Sequence, residues 1–165
     1  MNKQIIELKA QKILADFGIY NPPVPIEELV DKLNIKISYA PSKDYSGILI
    51  RKKNKTLMGI NSTEPDARKR FSIAHELGHF LFSKKSVSVD YRISNYVEKP
   101  EEEKHADSFA ANILMPRRWV LRDFEKISKG TITQNNLIDL SKKYKVSSEA
   151  MKFRLANLGL IELTN

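Results

Sequence analysis

Two of the chain's three histidines stand four residues apart with a glutamate between them, in His75-Glu76-Leu77-Gly78-His79. On a helix, residues four apart differ by about 40° around the axis, so both imidazoles leave the same face. Neutral imidazole is a zinc ligand, and a glutamate beside the first histidine can take a proton from a water that the metal activates. The HExxH spacing therefore reads as the metal-binding helix of a zinc peptidase, with His75 and His79 as ligands and Glu76 as general base. Two histidines leave such a site incomplete, because a catalytic zinc takes a third protein ligand and keeps one position open.

No further histidine follows at close spacing, and cysteine is absent, which excludes a thiolate site as well as disulfides. The acidic run after Pro100 offers a carboxylate instead. Glu103 and Asp107 are again four apart and share one helical face. Glu103 can bind the metal, and Asp107 can accept a hydrogen bond from the outer nitrogen of a ligand histidine, which fixes its tautomer and raises its basicity. Ala106 and Ala110 are small enough to let two helices approach closely. Glu101 and Glu102 read as first-turn acids that complement the helix dipole. Glu103 could share that plain role, but only Glu103 keeps the four-residue step to Asp107. His105 lies about 200° around the helix from Glu103 and is not expected at the same metal.

The elements that carry these residues follow from periodicity and punctuation. Apolar residues at helical spacing predict a helix over 3–17, with Ile6, Ile13 and Phe17 on one side. Asn21-Pro-Pro-Val-Pro25 is a stiff connector, and Pro25 suits the start of a second helix that Asn34 closes. Alternation predicts strands at 35–39, 47–51 and 56–60, the last two forming a hairpin about the charged turn KKNK. Thr63 is the expected cap of the HExxH helix, which should run to about Phe82 with Phe71, Ile73, Leu77, Phe80 and Leu81 packing it. Residues 84–99 read as a loop with a short strand at 87–89. Helices are then expected from Pro100 to Pro116, at 134–144 and at 148–158.

Bulk properties bound the rest. The 165 residues carry a net charge of +8, and the stretch from Arg117 to Arg154 holds ten Lys/Arg against four Asp/Glu. That face suits an acidic partner, with plain solvation as the blander role. No run of about 18 apolar residues predicts a membrane span. The lysine-interrupted N-terminus lacks the apolar segment of a signal peptide, so a cytoplasmic protein without membrane partners is expected.

The segments RFSIAHELGHFLF and ExxADxFAANILMP resemble the ImmA/IrrE family of zinc metallopeptidases, which belong to the HExxH…ExxxD class of zincins that includes thermolysin. The likeness covers roughly residues 45–116. It implies an α+β fold: a minimal zincin core of a small antiparallel sheet, the zinc helix and the ExxxD helix, followed by helix–turn–helix-like helices. The corresponding division is 1–116 for the metallopeptidase domain and 117–165 for a helical subdomain. It implies His75, His79 and Glu103 as zinc ligands, Glu76 as general base and Asp107 as the partner that orients a ligand histidine. Many members have Asn at the position of Asp107, and either side chain can accept the histidine N–H. The resemblance further implies a protein substrate, a helix–turn–helix transcriptional repressor whose cleavage relieves repression in a mobile element or stress response.

Several expectations remain open at the level of sequence. Two histidines and a carboxylate suit Zn2+ but also accommodate Mn2+ or Fe2+. Tyr91 and Tyr96 are candidate donors to the oxyanion, with ordinary loop tyrosines as the alternative. A substrate strand is expected to add beside an edge near 56–60. In the tail, Lys152, Arg154 and Asn157 are candidates to face a DNA groove, against the simpler role of helices that pack on the zinc domain. The competing reading of the whole chain is a DNA-binding or interaction module with an idle or structural metal. A closed structural site would need a fourth protein ligand, and none is obvious.

Overall fold

Local sequence accounts for most of the elements in the computed structural model, which describes residues 2–91, 98–128 and 132–162. Helix α1 (Lys3–Asp16) buries Ile6, Ala10, Ile13 and Leu14, one side of its turn pattern. Asn2 caps it by accepting the Gln4 N–H at 3.0 Å. Helix α2 (Ile26–Lys32) starts behind Pro25 and carries Glu27 and Glu28 in its first turn. Asn34, at φ 59°, then turns the chain into strand β1 (Ile35–Ala40). Asparagine is one of the few residues that adopts this left-handed conformation readily.

Strands β2 (Tyr45–Lys52) and β3 (Lys55–Asn61) form the expected hairpin, and β4 (Val87–Tyr91) completes the sheet. The order is β1-β3-β2-β4. The sheet is mixed rather than wholly antiparallel, because β1 runs parallel to β3 from Ile35 opposite Thr56 to Ala40 opposite Asn61. This corrects a second expectation. Residues 56–60 lie in an interior strand, hydrogen-bonded to β1 on one side and β2 on the other. Among the described residues the free edges belong to β1 and β4.

Helix α3 (Asp66–Phe82) carries HExxH across one face of the sheet, and every residue from Ser72 to His79 is buried. Such burial all round means that the helix is enclosed on both sides. Ile73 and Leu77 join the core, while helix α4 (Glu101–Leu114) covers the side that bears His75 and His79. Pro65, not Thr63, is the N-cap of α3. The Thr63 hydroxyl instead donates to the buried Asn61 Oδ1 at 2.9 Å, an acceptor that also receives the Ser42 N–H. At the other end, the Arg51 guanidinium of β2 donates to the carbonyls of His79 and Ser83, both at 2.6 Å. A cation on terminal carbonyls suits the negative end of a helix dipole and fixes α3 to the sheet.

Three helices follow: α5 (Arg117–Ser128), α6 (Gln134–Tyr144) and α7 (Ser148–Asn157). Helix α5 was not among the expected elements, although Trp119, Val120, Phe124 and Ile127 have helical spacing and Val120 and Phe124 are buried. Thr133 and Asn136 cap α6 reciprocally, and Ser147 caps α7 through the Ala150 N–H. Leu137, Leu140, Tyr144, Met151 and Leu155 belong to the same apolar cluster as Ile73 and Leu77. Arg70 of α3 reinforces the join by donating to the Lys145 carbonyl at 3.1 Å and the Val24 carbonyl at 2.8 Å.

Helices α3 and α4 approach each other closely. A Cβ added to Gly78 would stand 2.9 Å from the Ala106 Cα, a backbone atom that cannot swing aside. Glycine inside a helix costs about 1 kcal/mol relative to alanine, whereas forcing a methyl into a packed contact costs about 1–3 kcal/mol. Gly78→Ala is therefore expected to lower stability by on the order of 1 kcal/mol despite its better helix propensity. Urea unfolding of the two proteins checks this, and a stabilised variant would mean that the contact is not tight.

Candidate metal centre

The HExxH helix presents its two histidines to α4, and α4 returns Glu103 between them. The Nε2 atoms of His75 and His79 lie 3.0 Å apart. Glu103 reaches both, with Oε2 3.2 Å from His75 Nε2 and Oε1 3.1 Å from His79 Nε2. Ligands at about 2.05 Å from a tetrahedral zinc are separated by about 3.3 Å. The three donor atoms thus already stand close to the spacing of three tetrahedral corners. Among the described residues they form the one cluster of this kind, and all three side chains are buried or nearly so.

Asp107, one turn beyond Glu103, accepts the His75 Nδ1–H at 2.9 Å. That bond assigns the proton to Nδ1 and leaves the Nε2 lone pair for a metal. The other Asp107 oxygen pairs with Lys99. Glu76 is fully buried, and neither of its oxygens has a hydrogen-bond partner. The Asp90 backbone N–H weakly favours its charged form without making a hydrogen bond of ordinary geometry. Room for the carboxylate comes from Gly47 on β2, where an added Cβ would sit 2.9 Å from Glu76 Oε1. A buried carboxylate without partners is costly in a purely structural role. Three converged donors beside it fit a divalent cation and a reacting water.

The electrostatics follow the same geometry. Burial pushes the Glu76 carboxyl up to about 8; the charges of Asp90 and Glu103 add to the rise, and that of His75 opposes it. Burial works against a charge on His75, yet the hydrogen bonds to Asp107 and Glu103 outweigh it and raise the imidazole to about 10. Burial alone would raise Glu103, but hydrogen bonds and charge from both histidines hold its carboxyl well below the usual range. His75 and Glu103 form one coupled set in which a proton occupies the place suited to a cation.

Residues outside the motifs also take part. Asp90 of β4 reaches the neighbourhood of His75 and Glu76, and burial raises its carboxyl. Arg68 holds it at 3.0 Å and also donates to Ser46 Oγ at 3.1 Å. Arg68 lies two helical turns before His75, so helical spacing could have placed it on the ligand face. Nothing local marks Asp90, Gly47 or Lys99, because their roles depend on which strand or loop comes to rest beside α3 and α4.

The remaining candidates fall as follows. His105 lies beside Glu101 at 3.7 Å and is not part of the metal cluster. Tyr91, a candidate oxyanion donor, is 53% exposed, and alternation along β4 carries its side chain to the face opposite Asp90. Tyr96 lies outside the described residues. Arg154 is buried rather than presented to DNA, donating to the Met115 carbonyl at 3.0 Å and to Asn112 Oδ1 at 2.8 Å. Lys152 is half-buried and Asn157 exposed on the same helix.

Residues 30–156 match the profile of the IrrE N-terminal-like domain, a peptidase family. The chain belongs to that family. The match takes in the whole metal centre and the helices α5 to α7, and it leaves α1 outside. No curated protein sequence matches the chain. Among solved structures, a Mycobacterium tuberculosis transcriptional regulator is similar in fold, with a TM-score of 0.66 at 15% identity. The likeness covers 93% of this chain but only 46% of that one, so the chain spans less than half the length of the regulator. No helix among the described residues is long and apolar enough to cross a membrane.

Two outcomes test this arrangement. Removing the partner of His75 with Asp107→Ala should weaken zinc binding about 10–100-fold, while Asp107→Asn should retain most of it; competition with a fluorescent chelator reads both. In metal-free protein, His75 has a folded pKa above its unfolded value of about 6.5. Its stabilising contribution is therefore complete below that pH and lost as pH rises towards 10. Glu76 adds a slope of the same sign from the ordinary glutamate range up to about 8, because the folded state retains a proton that the unfolded chain has released. The urea midpoint of chelator-treated protein should fall between pH 6 and 9, with a shallower fall for Glu76→Gln. A midpoint that rises over this range contradicts the assignment.

Proposed function

We propose that the chain is a zinc-dependent endopeptidase that cleaves a partner helix–turn–helix transcriptional repressor and so relieves repression. The observation that carries the reading is the convergence of His75, His79 and Glu103 to within 3.2 Å beside a buried Glu76 with no partner of its own. Membership of a peptidase family supports the chemistry. The repressor rests on weaker ground: the motif resemblance, and a structural neighbour described as a transcriptional regulator.

His75, His79 and Glu103 would hold the ion, with Zn2+ preferred and Mn2+ or Fe2+ compatible with the same donors. A zinc ion bound there supplies a Lewis acid for the scissile carbonyl and lowers the pKa of a water to about 7. The chain's own groups do the rest. Asp107 holds His75 in the tautomer that offers Nε2, and Lys99 in turn holds Asp107. Glu76 accepts the proton of the attacking water on a carboxylate oxygen and later returns it to the leaving amine nitrogen. Burial and the charges of Asp90 and Glu103 raise its carboxyl to about 8; a dication held by the three ligands would oppose that rise, and a base near the working pH is effective.

The substrate backbone adds to β4, the free edge beside Glu76, in place of the strand at 56–60 that lies inside the sheet. This requires an extended, accessible segment in the target and limits cleavage to loops or linkers. Glu76→Gln should keep stoichiometric zinc and lose roughly 10²–10⁴-fold in hydrolysis. Glu103→Ala should lose both. Metal analysis together with incubation of purified protein, zinc and a candidate helix–turn–helix repressor gives the readout. Undiminished cleavage by Glu76→Gln would overturn the mechanism.

A further inference from the structure

A groove of about 830 Å³ lies between α4 and α7, next to the candidate metal centre but lined by none of His75, Glu76, His79 or Glu103. It begins at Phe71, whose ring centroid is 6.2 Å from that of His75, and at Asp107, the hydrogen-bond partner of His75. Apolar walls come from Ala111 and Met115 of α4 and its cap and from Ala150 and Phe153 of α7. Phe153 is 50% exposed, a large ring left at the rim of this channel.

The charge of the groove is uneven. Six cationic side chains line it against three carboxylates. Lys99, Lys104 and Arg68 are held by Asp107, by Glu98 and Glu101, and by Asp90 respectively. Arg154 is different. Its side chain is more than nine-tenths buried, and its hydrogen bonds go to a carbonyl and an amide oxygen, both neutral. Among the described residues no carboxylate lies within ion-pair distance of it. Burial lowers its pKa to about 10; the more distant Glu7 resists that shift and Arg117 adds to it. The guanidinium stays charged at neutral pH, with Arg117 as a second cation nearby. A buried cation whose partners are neutral favours an incoming carboxylate.

We propose that this groove docks an acidic and partly apolar stretch of the polypeptide cut at the metal centre, with a carboxylate side chain at Arg154 and Arg117 and an apolar side chain against Phe153. The inference rests on the peptidase reading for the identity of the occupant. Asn112, which Arg154 grips, lies further along α4 than Glu103 by about 14 Å at 1.5 Å per residue. Extended chain advances about 3.3 Å per residue. The acidic residue therefore falls about four positions from the scissile bond. Nucleic acid is also acidic, but the apolar walls and the contacts of the lining residues Phe71 and Asp107 with His75 favour polypeptide. Lys152, the remaining basic candidate of α7, does not line the groove.

The test uses the full zinc-loaded chain carrying Glu76→Gln, so that peptides bind without being cut. The probes are fluorescein-labelled dodecapeptides with a central Phe and Glu residues four positions away, the same peptides with Lys for Glu, and the same with Ser for Phe. By fluorescence anisotropy the acidic peptide should bind at least about tenfold more tightly than its Lys counterpart. Adding Arg117→Glu should abolish that preference. Arg117 is exposed at the start of α5, where a glutamate suits the helix dipole, so the fold tolerates the change. Adding Phe153→Ser should weaken the Phe-containing peptide and leave the Ser peptide unchanged. Equal binding of acidic and Lys peptides, no response to Arg117→Glu, or displacement of the peptide by a DNA duplex at lower concentration than by unlabelled peptide would each overturn the proposal. If wild-type protein fails to cut a peptide that docks with this charge preference, the peptidase reading falls and the groove stands. Cutting without any charge preference has the reverse meaning.

Discussion

The metal centre depends on α3 and α4 lying nearly backbone to backbone where Gly78 meets Ala106. Packed helices ordinarily keep their axes 8–10 Å apart, with the side chains at the contact setting the distance. With no side chain on Gly78 and a methyl on Ala106, Glu103 comes within 3.2 Å of both histidines. An extra ångström between the axes would open that triangle beyond what one small cation can span. Restraints applied elsewhere hold the pair in place. Arg51 fastens the end of α3 to the sheet, and α1 lies against α4 with Ile6 and Ala10 in the common core.

The same closeness creates an electrostatic problem. His75, His79 and Glu103 are removed from water together, and Glu76 is buried beside them with unpartnered oxygens. Protons or a cation must balance these charges, which is why His75 and Glu103 shift in opposite directions. Natural sequences tolerate such locally unfavourable sites where function requires them, and the surrounding core offsets the cost. Gly47 makes the same concession on the sheet side, since any larger residue would push Glu76 out of line.

The C-terminal helices are more closely tied to this centre than their helix–turn–helix pattern suggests. Their apolar residues belong to the core that backs α3, and Arg154, a plausible DNA contact by charge alone, is spent on Met115 and Asn112 at the end of α4. The family match also runs into α7. A charged residue on a short helix is ambiguous until the fold shows which face is covered, and here the covered face is the one that completes the groove beside the site.

The sequence by itself determined much of what short spacing governs. HExxH and the Glu103–Asp107 step specified which side chains share a helical face. Alternation and the KKNK turn specified the hairpin, and Pro100 and Pro116 bounded α4. Helix α5, absent from the expected elements, obeys the same rule through the helical spacing of Trp119, Val120, Phe124 and Ile127. Only the tertiary structure decided that β1 joins β3 in parallel and makes it an interior strand, that β4 is the edge beside Glu76, that Asp90 and Arg68 face the site while Tyr91 turns away, and that Arg154 is buried. The physical reason is range. A helical turn or a hairpin joins residues a few positions apart, so composition and period specify it. Contacts such as Gly47 with Glu76, or Arg154 with Asn112, join segments dozens of residues apart, and they form only because the packed core leaves those segments no other place to lie.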